Sequence, residues 1–164
     1  MNASCTNKVY TGEMDISDAV DTVSATQTQL EASIDAGILT FHRVGNEFRV
    51  LTDINTLKTT TQDKGNVFKA NQTIRVIDQI ANDIAVLFNT KYLGVIPNNA
   101  SGRISLWGDI VKHHEQLQTI GAIENFNDAN VVVVEGDTKR AVVVTDVVEV
   151  VNAMEQLYMT VTIA

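Results

Sequence analysis

The sequence lacks the glycine patterns on which common nucleotide-binding motifs depend. Its nine glycines are spread so widely over 164 residues that Gly-x-Gly never occurs. Both the dinucleotide fingerprint and the phosphate-binding loop need closely spaced glycines, because the backbone must approach the phosphates. The Gly-x-Ser-x-Gly elbow of serine hydrolases is missing as well. These absences exclude three common enzyme motifs.

Cysteine and histidine are scarce, with one cysteine and three histidines in the chain. The single cysteine, Cys5, excludes an intrachain disulfide, and its polar surroundings offer no base that would activate a nucleophilic thiol. His113 and His114 are neighbours on a predicted helix and point about 100° apart, so they cannot bind one metal ion as an i, i+4 pair would. We expect His114 to be partly buried, His113 to be exposed, and no metal or other cofactor to be bound.

Basic residues are in the minority, because 12 Lys and Arg stand against 20 Asp and Glu, for a net charge of −8. Proteins that bind nucleic acid are usually basic, so the charge disfavours that class. No apolar run reaches the roughly 18 residues that a membrane-spanning helix needs, and residues 1–21 lack the regions of a signal peptide. We therefore expect neither nucleic acid nor membrane as a partner.

Hydrophobic periodicity predicts helices over residues 26–36, 66–91 and 101–120, and a hairpin of strands 38–44 and 47–51. Thr28 with Glu31 fits an N-cap pair for the first helix, and Gly45-Asn46 is a typical hairpin turn. The residues predicted to form buried stripes on the two long helices are Val67, Ile74, Ile77, Ile80, Ala81, Ile84, Leu87, Phe88, Ile104, Trp107, Ile110, Val111, His114 and Leu117.

The last third of the chain predicts three strands, at residues 131–135, 140–145 and 154–163. Two short runs of β-branched residues, Val131, Val132, Val133 and Val134, then Val142, Val143 and Val144, indicate strands covered on both faces. The last strand alternates and carries no charge after Glu155. It is either an inner strand of its own sheet or a strand lent to a neighbouring molecule.

The order of elements is a helix, a hairpin, two long helices and three strands. This order predicts an α+β fold in which an antiparallel or mixed sheet carries two long helices packed on it. Residues 1–25 are polar and acidic and are predicted to be an extended linker, followed by one domain over residues 26–164.

The composition and patterns described so far leave several functions open. Residues 41–112 carry a charge of about +3 between acidic ends, which fits a solvated surface, self-association, or a site for an anionic substrate. Asp53, or Asp78 with its neighbour Asn82, would then be the carboxylate of a small-molecule enzyme. A module that binds extended peptides on a sheet edge is a further candidate.

The sequence resembles the C-terminal part of contractile tail sheath proteins of phages and of related defective prophage particles. The segments that carry the resemblance are residues 6–13 (TNKVYTGE), 41–45 (FHRVG), 49–56 (RVLTDINT), 71–78 (NQTIRVID), 122–126 (AIENF) and 153–161 (AMEQLYMTV). The resemblance covers nearly all of residues 6–164, and it rests on the order and spacing of these segments together.

The resemblance implies a structural subunit and not an enzyme. Sheath subunits stack as rings around the tail tube, and terminal arms of neighbours add strands to the C-terminal domain. A baseplate signal releases the metastable sheath, whose contraction drives the tube through a cell envelope. The partners would be other copies, the tube protein and baseplate proteins. The location would be the virion tail, assembled in the host cytoplasm. Sheath proteins are longer, so we expect a piece that folds but builds no working sheath.

The resemblance also assigns residues by position. Val131–Val134 and Val142–Val144 would form the hairpin that accepts neighbouring strands. The helix over residues 101–120 would face the tube through Arg103, Lys112 and His113. The inter-subunit strand would comprise Met154, Gln156, Leu157, Tyr158, Met159, Thr160, Val161, Thr162 and Ile163.

Overall fold

The computed structural model describes residues 4–9 and 25–163, so most of the linker predicted over residues 1–25 lies outside the described residues. The elements are helices α1 (Gln27–Asp35), α2 (Asn71–Leu87) and α3 (Ala100–Thr119) and strands β1 (Phe41–Val44), β2 (Glu47–Val50), β3 (Ile123–Glu124), β4 (Val131–Glu135), β5 (Val142–Asp146) and β6 (Glu149–Val150). The chain divides into two compact units, one of residues 1–74 with 152–164 and one of residues 75–151.

The predicted α+β class is confirmed, and the predicted order of strands in one sheet stays a prediction. The described strands form three separate two-stranded antiparallel sheets, β1–β2, β3–β6 and β4–β5. The strand predicted over residues 154–163 is not assigned, because a strand needs a partner for its N–H and C=O groups, and no described residue provides one there. Alternation of apolar residues indicates β propensity, but it does not supply that partner.

In the first unit, α1 begins at Thr26, whose side chain and that of Gln29 cap each other's backbone N–H groups. The structure therefore places the N-cap at Thr26, two residues before the predicted Thr28. Gly37 ends the helix at a φ of +68°, where an added Cβ would lie 2.9 Å from the carbonyl oxygen of Asn55. Glycine tolerates both the left-handed backbone and this close approach. The β1–β2 hairpin follows, with Gly45 at the turn as expected.

The second unit holds the apolar core. Its two clusters are Val76, Ile80, Leu117, Ala122 and Ile123, and Tyr92, Leu106, Ile110, Val111 and Val131. The burial of such side chains contributes about 1.5–3 kcal/mol each. The core helix α3 is thus packed on both sides within this unit, with Ile110 fully buried.

A five-residue π-helix, Phe88–Tyr92, continues α2 and replaces the α-helix predicted to reach residue 91. It places the Tyr92 hydroxyl against Asp109 and 3.1 Å from the Ser105 hydroxyl, while Lys91 Nζ lies 2.5 Å from Asp109. Burial alone would raise the pKa of Asp109, but hydrogen bonds from Lys91 and Tyr92 outweigh it and lower that pKa. These contacts attach the end of the π-helix to α3.

His114 links α3 to the end of β5. Its side chain is fully buried, with Nε2 2.7 Å from Asp146 Oδ2 and Nδ1 2.8 Å from the Ile110 carbonyl oxygen. Both ring nitrogens face acceptors, so the protonated ring, with two N–H groups, satisfies both contacts. Burial alone would lower the pKa of His114, but Asp146 and the Ile110 carbonyl raise it above its ordinary value.

His113 is half-buried and not exposed as expected. Its Nε2 lies 3.0 Å from Asp83 Oδ2 on α2. Adjacent positions on a helix point about 100° apart, so the two histidines contact different elements. His113 contacts α2 and His114 contacts β5.

The raised pKa of His114 predicts a pH-dependent free energy of unfolding. The contribution of the protonated ring is fully present below about pH 6.5 and is lost as pH rises through the folded-state pKa. We expect D146N to lower the free energy of unfolding by roughly 2 kcal/mol at pH 6 and to flatten its decline above neutrality. Urea unfolding of both proteins at a series of pH values measures this. Parallel curves for the two proteins would contradict it.

Candidate functional site: the open hairpin and the C-terminal segment

The β4–β5 hairpin is covered on one face within the described chain. Val131 is buried, Val133 and Val142 pack on the same cluster, and Trp107 Nε1 donates to the Val131 carbonyl oxygen at 3.0 Å. The opposite face is open, since Val132, Val134 and Val143 are each 47% exposed. The prediction of two covered faces is therefore wrong for the described residues, whose elements cover only one face.

The two long edges of the hairpin carry outward backbone groups. Gly136 N donates to the Ala141 carbonyl oxygen at 2.9 Å, just beyond the last paired residues. Hydrogen-bonded and non-hydrogen-bonded pairs alternate along antiparallel strands, so the register makes Val134–Val143 a hydrogen-bonded pair and Val133–Val144 a non-hydrogen-bonded one. The backbone N–H and C=O of Val133, Glu135, Val142 and Val144 consequently point away from the hairpin.

The contact from Trp107 supports this assignment independently. Val131 belongs to the same set as Val133, and its carbonyl oxygen accepts from the indole and not from β5. Trp107 therefore satisfies one outward carbonyl group of β4. No described residue supplies a hydrogen bond to the outward groups of Val133 or Val144. Both edges of the hairpin can thus accept a further strand.

A groove accompanies each edge. Between α3 and β4 lies an open groove of about 250 Å³ lined by Ala100, Arg103, Ile104, Trp107 and Val133. Beside the start of β5 lies a smaller groove of about 110 Å³ whose lining includes Tyr92, Ile96, Leu106, Arg140 and Val142. Their mainly apolar walls suit the side chains of an added strand on its inward face.

The C-terminal segment, residues 154–163, projects its side chains into solvent. All nine residues assigned to the inter-subunit strand are exposed, from Met154 to Ile163. The apolar side chains among them are unusually exposed, since Leu157 is 85% and Ile163 is 94% exposed. Exposed apolar side chains in such a run indicate a surface that is covered by a partner.

A polar cluster at the base of this segment was missed from the sequence. Glu155 accepts from the hydroxyl of Thr6 at 2.6 Å, from that of Thr52, and from that of Ser4 at 3.4 Å. Asp53, only 3% exposed, accepts from Cys5 N and from Asn71 Nδ2, each at 3.0 Å. No spacing rule joins residues so far apart in sequence, although two of the resemblance segments include Thr52, Asp53 and Glu155.

The residues predicted to contact the tube do not share one face of α3. Lys112 is nine positions from Arg103, which is about half a turn around the helix axis. Arg103 is half-buried, with NH1 3.0 Å from Asn98 Oδ1 and 3.6 Å from Glu135, and His113 is engaged by Asp83. Lys112 is the exposed member of the three. The tube contact stays a prediction, and these positions cannot make it together.

The positions of the two aspartates considered as catalytic carboxylates do not favour that role. Asp53 is occupied by the backbone and amide contacts given above, and Asp78 is exposed on α2. Among the described residues, no group of three or more His, Cys, Asp or Glu side chains is placed to hold a metal ion. None of the described helices combines the length and apolarity that a membrane crossing requires.

Comparison with known families identifies two tail sheath domains in the chain. The family described as the phage tail sheath C-terminal domain matches residues 63–164, and the phage tail sheath protein central domain matches residues 1–56. The tail sheath protein of Clostridium phage phiCD119 is 32% identical over 76 residues, which are 46% of this chain and 21% of the relative.

Solved structures give the same result. The sheath tail protein of Desulfitobacterium hafniense is 33% identical, with a TM-score of 0.69 over 82% of this chain and 30% of that one. The sheath tail protein Lin1278 of Listeria innocua, at 23% identity, shares the fold with a TM-score of 0.77 over 93% and 36% of the two chains. A chain of the anti-feeding prophage baseplate, at 17%, also shares the fold, with a TM-score of 0.68 over 96% and 43%.

The chain spans about a third or less of the length of the relatives first compared, the phiCD119 and Desulfitobacterium proteins. The C-terminal domain match alone covers more than half of the present sequence. These matches confirm the resemblance given by the sequence, and the chain belongs to the phage tail sheath family, whose members are structural proteins of phage and phage-like particles.

Proposed function

We propose that this chain is part of a contractile tail sheath subunit that polymerises by exchanging strands between copies. The observation that carries the proposal is that two hairpin edges and one β-prone segment have no strand partner among residues 4–9 and 25–163. Residues 154–163 of one copy pair with an edge of β4 or β5 of another. The chain thus provides both the strand and its acceptor.

Backbone hydrogen bonding favours this exchange. An isolated two-stranded hairpin is marginal in water, and additional strands stabilise it. Each added strand satisfies outward groups of Val133 and Glu135 or of Val142 and Val144, and it covers apolar side chains that are now in water. Pairing through the backbone links copies while leaving their helices free to move as rigid bodies.

Within the assembled tail, we propose that the subunit surrounds the tail tube and contacts baseplate proteins. The likeness of its fold to a chain of the anti-feeding prophage baseplate supports a place in a contractile particle. Contraction releases conformational free energy stored at assembly, so no nucleotide or metal cofactor is needed and the subunit is not an enzyme. Lys112, exposed on α3, is our candidate for a tube contact.

We propose that the particle is assembled in the host cytoplasm and that the protein acts in the virion tail. Contraction there drives the tube through the cell envelope. We also keep the domain division of the sequence, with an N-terminal connecting segment over residues 1–25 and a sheath C-terminal domain over residues 26–164. The match of a central-domain family to residues 1–56 supports a connection to a further domain in the longer protein.

Removal of the C-terminal segment tests the source of the exchanged strand. In the full-length protein, we expect deletion of residues 156–164 to abolish sheath polymerisation, because the acceptor edges then have no strand to bind. Negative-stain electron microscopy of the purified protein measures this. Circular dichroism serves as the control, since the segment contributes no helix and the spectrum should keep its helical signal. Sheaths of normal length from the deletion would contradict the proposal.

Proline at outward positions tests the acceptor edges. Glu135 and Val144 point their N–H groups away from the hairpin, so E135P and V144P each remove an edge donor without removing a bond within it. We expect the double variant to assemble at least tenfold less than the unchanged protein. Matched controls are V134P and V143P, which remove inward donors and should destabilise the hairpin itself.

The comparison of the edge variants with the inward controls separates a blocked edge from an unfolded hairpin. The double edge variant should keep a cooperative unfolding transition while failing to polymerise. The two single edge variants identify which edge takes the segment. A double variant that polymerises as well as the unchanged protein would contradict strand addition at this hairpin.

A further inference from the structure

We propose that Glu155 anchors the base of the C-terminal segment, so that residues 156–163, and not the whole of 154–163, are exchanged between copies. The inference rests on the proposed strand exchange and adds the residue that fixes where the segment leaves the domain. Glu155 is thus a positioning residue: it touches no partner strand itself and determines which residues can reach one.

Contacts change abruptly at this position. Before it, Asn152 Oδ1 accepts from Thr73 Oγ1 at 3.2 Å, and Ala153 N donates to Gln72 Oε1 at 3.0 Å. After it, the hydrogen bond from Tyr158 to Gln156 stays within the segment itself. Residues 152–155 therefore form a fixed base and residues 156–163 a projecting part.

The Glu155 carboxylate gathers three hydroxyl groups from two distant parts of the chain. Thr6 and Ser4 come from the N-terminal described segment, and Thr52 follows β2. Hydrogen bonds to a charged acceptor are stronger than those between neutral groups. The single hydroxyl hydrogen of Ser4 also faces Thr6 Oγ1 at 2.9 Å, so Thr6 and Thr52 are the main donors to the carboxylate.

The residues around this cluster are held by further hydrogen bonds. Asp53 N donates to Thr6 Oγ1 at 2.8 Å, which leaves the Thr6 hydroxyl hydrogen for Glu155. Asn7 N and Lys8 O pair with Val50 at 2.8 and 3.0 Å, so the N-terminal segment is held beside β2. Thr52 is 7% exposed and cannot follow a moving partner. The cluster is therefore a rigid support for the base.

Polar contacts are the identified links at this base. The adjoining recess of about 290 Å³ is lined by Asp53, Ile54, Ala70, Gln72, Asn152, Ala153, Glu155 and Gln156. Met154, between the anchored residues, is fully exposed and does not hold the base. The hydrogen bonds of Asn152, Ala153 and Glu155 therefore give the segment its direction.

Fixing the base has a consequence for exchange between copies. Shifting a strand by one residue turns every side chain to the opposite face, so the register of the exchanged segment must be defined. An anchored start sets the length of chain available to reach the acceptor. Loss of the anchor lengthens the tether and permits several registers.

The test compares E155A with M154A, the adjacent exposed position, in the full-length protein. Amide hydrogen exchange at Ala153 and Asp53 should be about tenfold faster or more in E155A and unchanged in M154A, because the hydroxyl contacts to a charged acceptor are lost. T52V should give part of the same effect, and adding it to E155A should give little more. E155Q keeps one acceptor without the charge and should lie between.

A second readout separates positioning from simple stability. Single cysteines at residues 157–161 are each combined with V143C on β5 or with V134C on β4, in a chain that also carries C5S. They should give one dominant disulfide between copies when Glu155 is present and a spread over several positions with E155A. Unchanged amide exchange in E155A, or a dominant cross-link that does not move, would overturn the role of Glu155. Absence of any cross-link between copies in the unchanged background, with the exchange difference intact, would instead overturn strand exchange itself.

Discussion

Backbone groups at a strand edge need partners, and this requirement explains the main features of the chain. In the described part of the chain, the β4–β5 hairpin pairs with no third strand, and its register places N–H and C=O groups of alternate residues on its two outer sides. Trp107 satisfies one of them from α3, which shows how a side chain covers the end of an edge. The remaining outward groups define a surface that another strand fits better than any side chain does.

The supports around the hairpin make it a preformed acceptor. Val131 packs into the core beside α3, and the contact of the buried His114 with Asp146 fixes the end of β5 to the same helix. An ordered edge costs less conformational entropy on pairing than one that must first fold. The proposed exchange needs the opposite property in the incoming segment, and residues 156–163 are exposed and pair with no other described strand. The proposed exchange requires an ordered acceptor and an exposed donor strand, and both occur in this sequence.

Local patterns predicted the elements well and their partners poorly. Periodicity located α3 and most of its buried residues, including Ile110 and His114, although Ile104 on the same predicted stripe is 66% exposed beside an open groove. On α2 the predicted stripe was displaced: Val76 is buried, whereas Ala81 is exposed. The long helix contains enough apolar residues on several sides that periodicity alone could not choose the face, which depends on the tertiary partners.

The residues of the candidate site also divide into those with a local sequence signal and those that only tertiary contacts bring together. The valine runs identified the hairpin, and the alternating segment identified a strand without a partner, because both signals are local. The Glu155 cluster joins residues from three distant parts of the sequence and has no local signal. The same holds for Arg103, Lys112 and His113. The prediction grouped them because they lie on one helix and are basic, but the helix geometry turns them to different sides. Only the tertiary contacts resolve such groupings.

One measurement tests the central claim most directly. The chain lacking residues 156–164 is labelled with ¹⁵N and titrated with a synthetic peptide of residues 154–164, and amide chemical shifts and hydrogen exchange are followed by NMR. The account predicts saturable shifts and new protection at the outward amides of Val133 and Glu135, or of Val142 and Val144, with little change at Val134 and Val143. A titration that leaves the hairpin amides unchanged at millimolar peptide, or shifts only residues elsewhere, would contradict it.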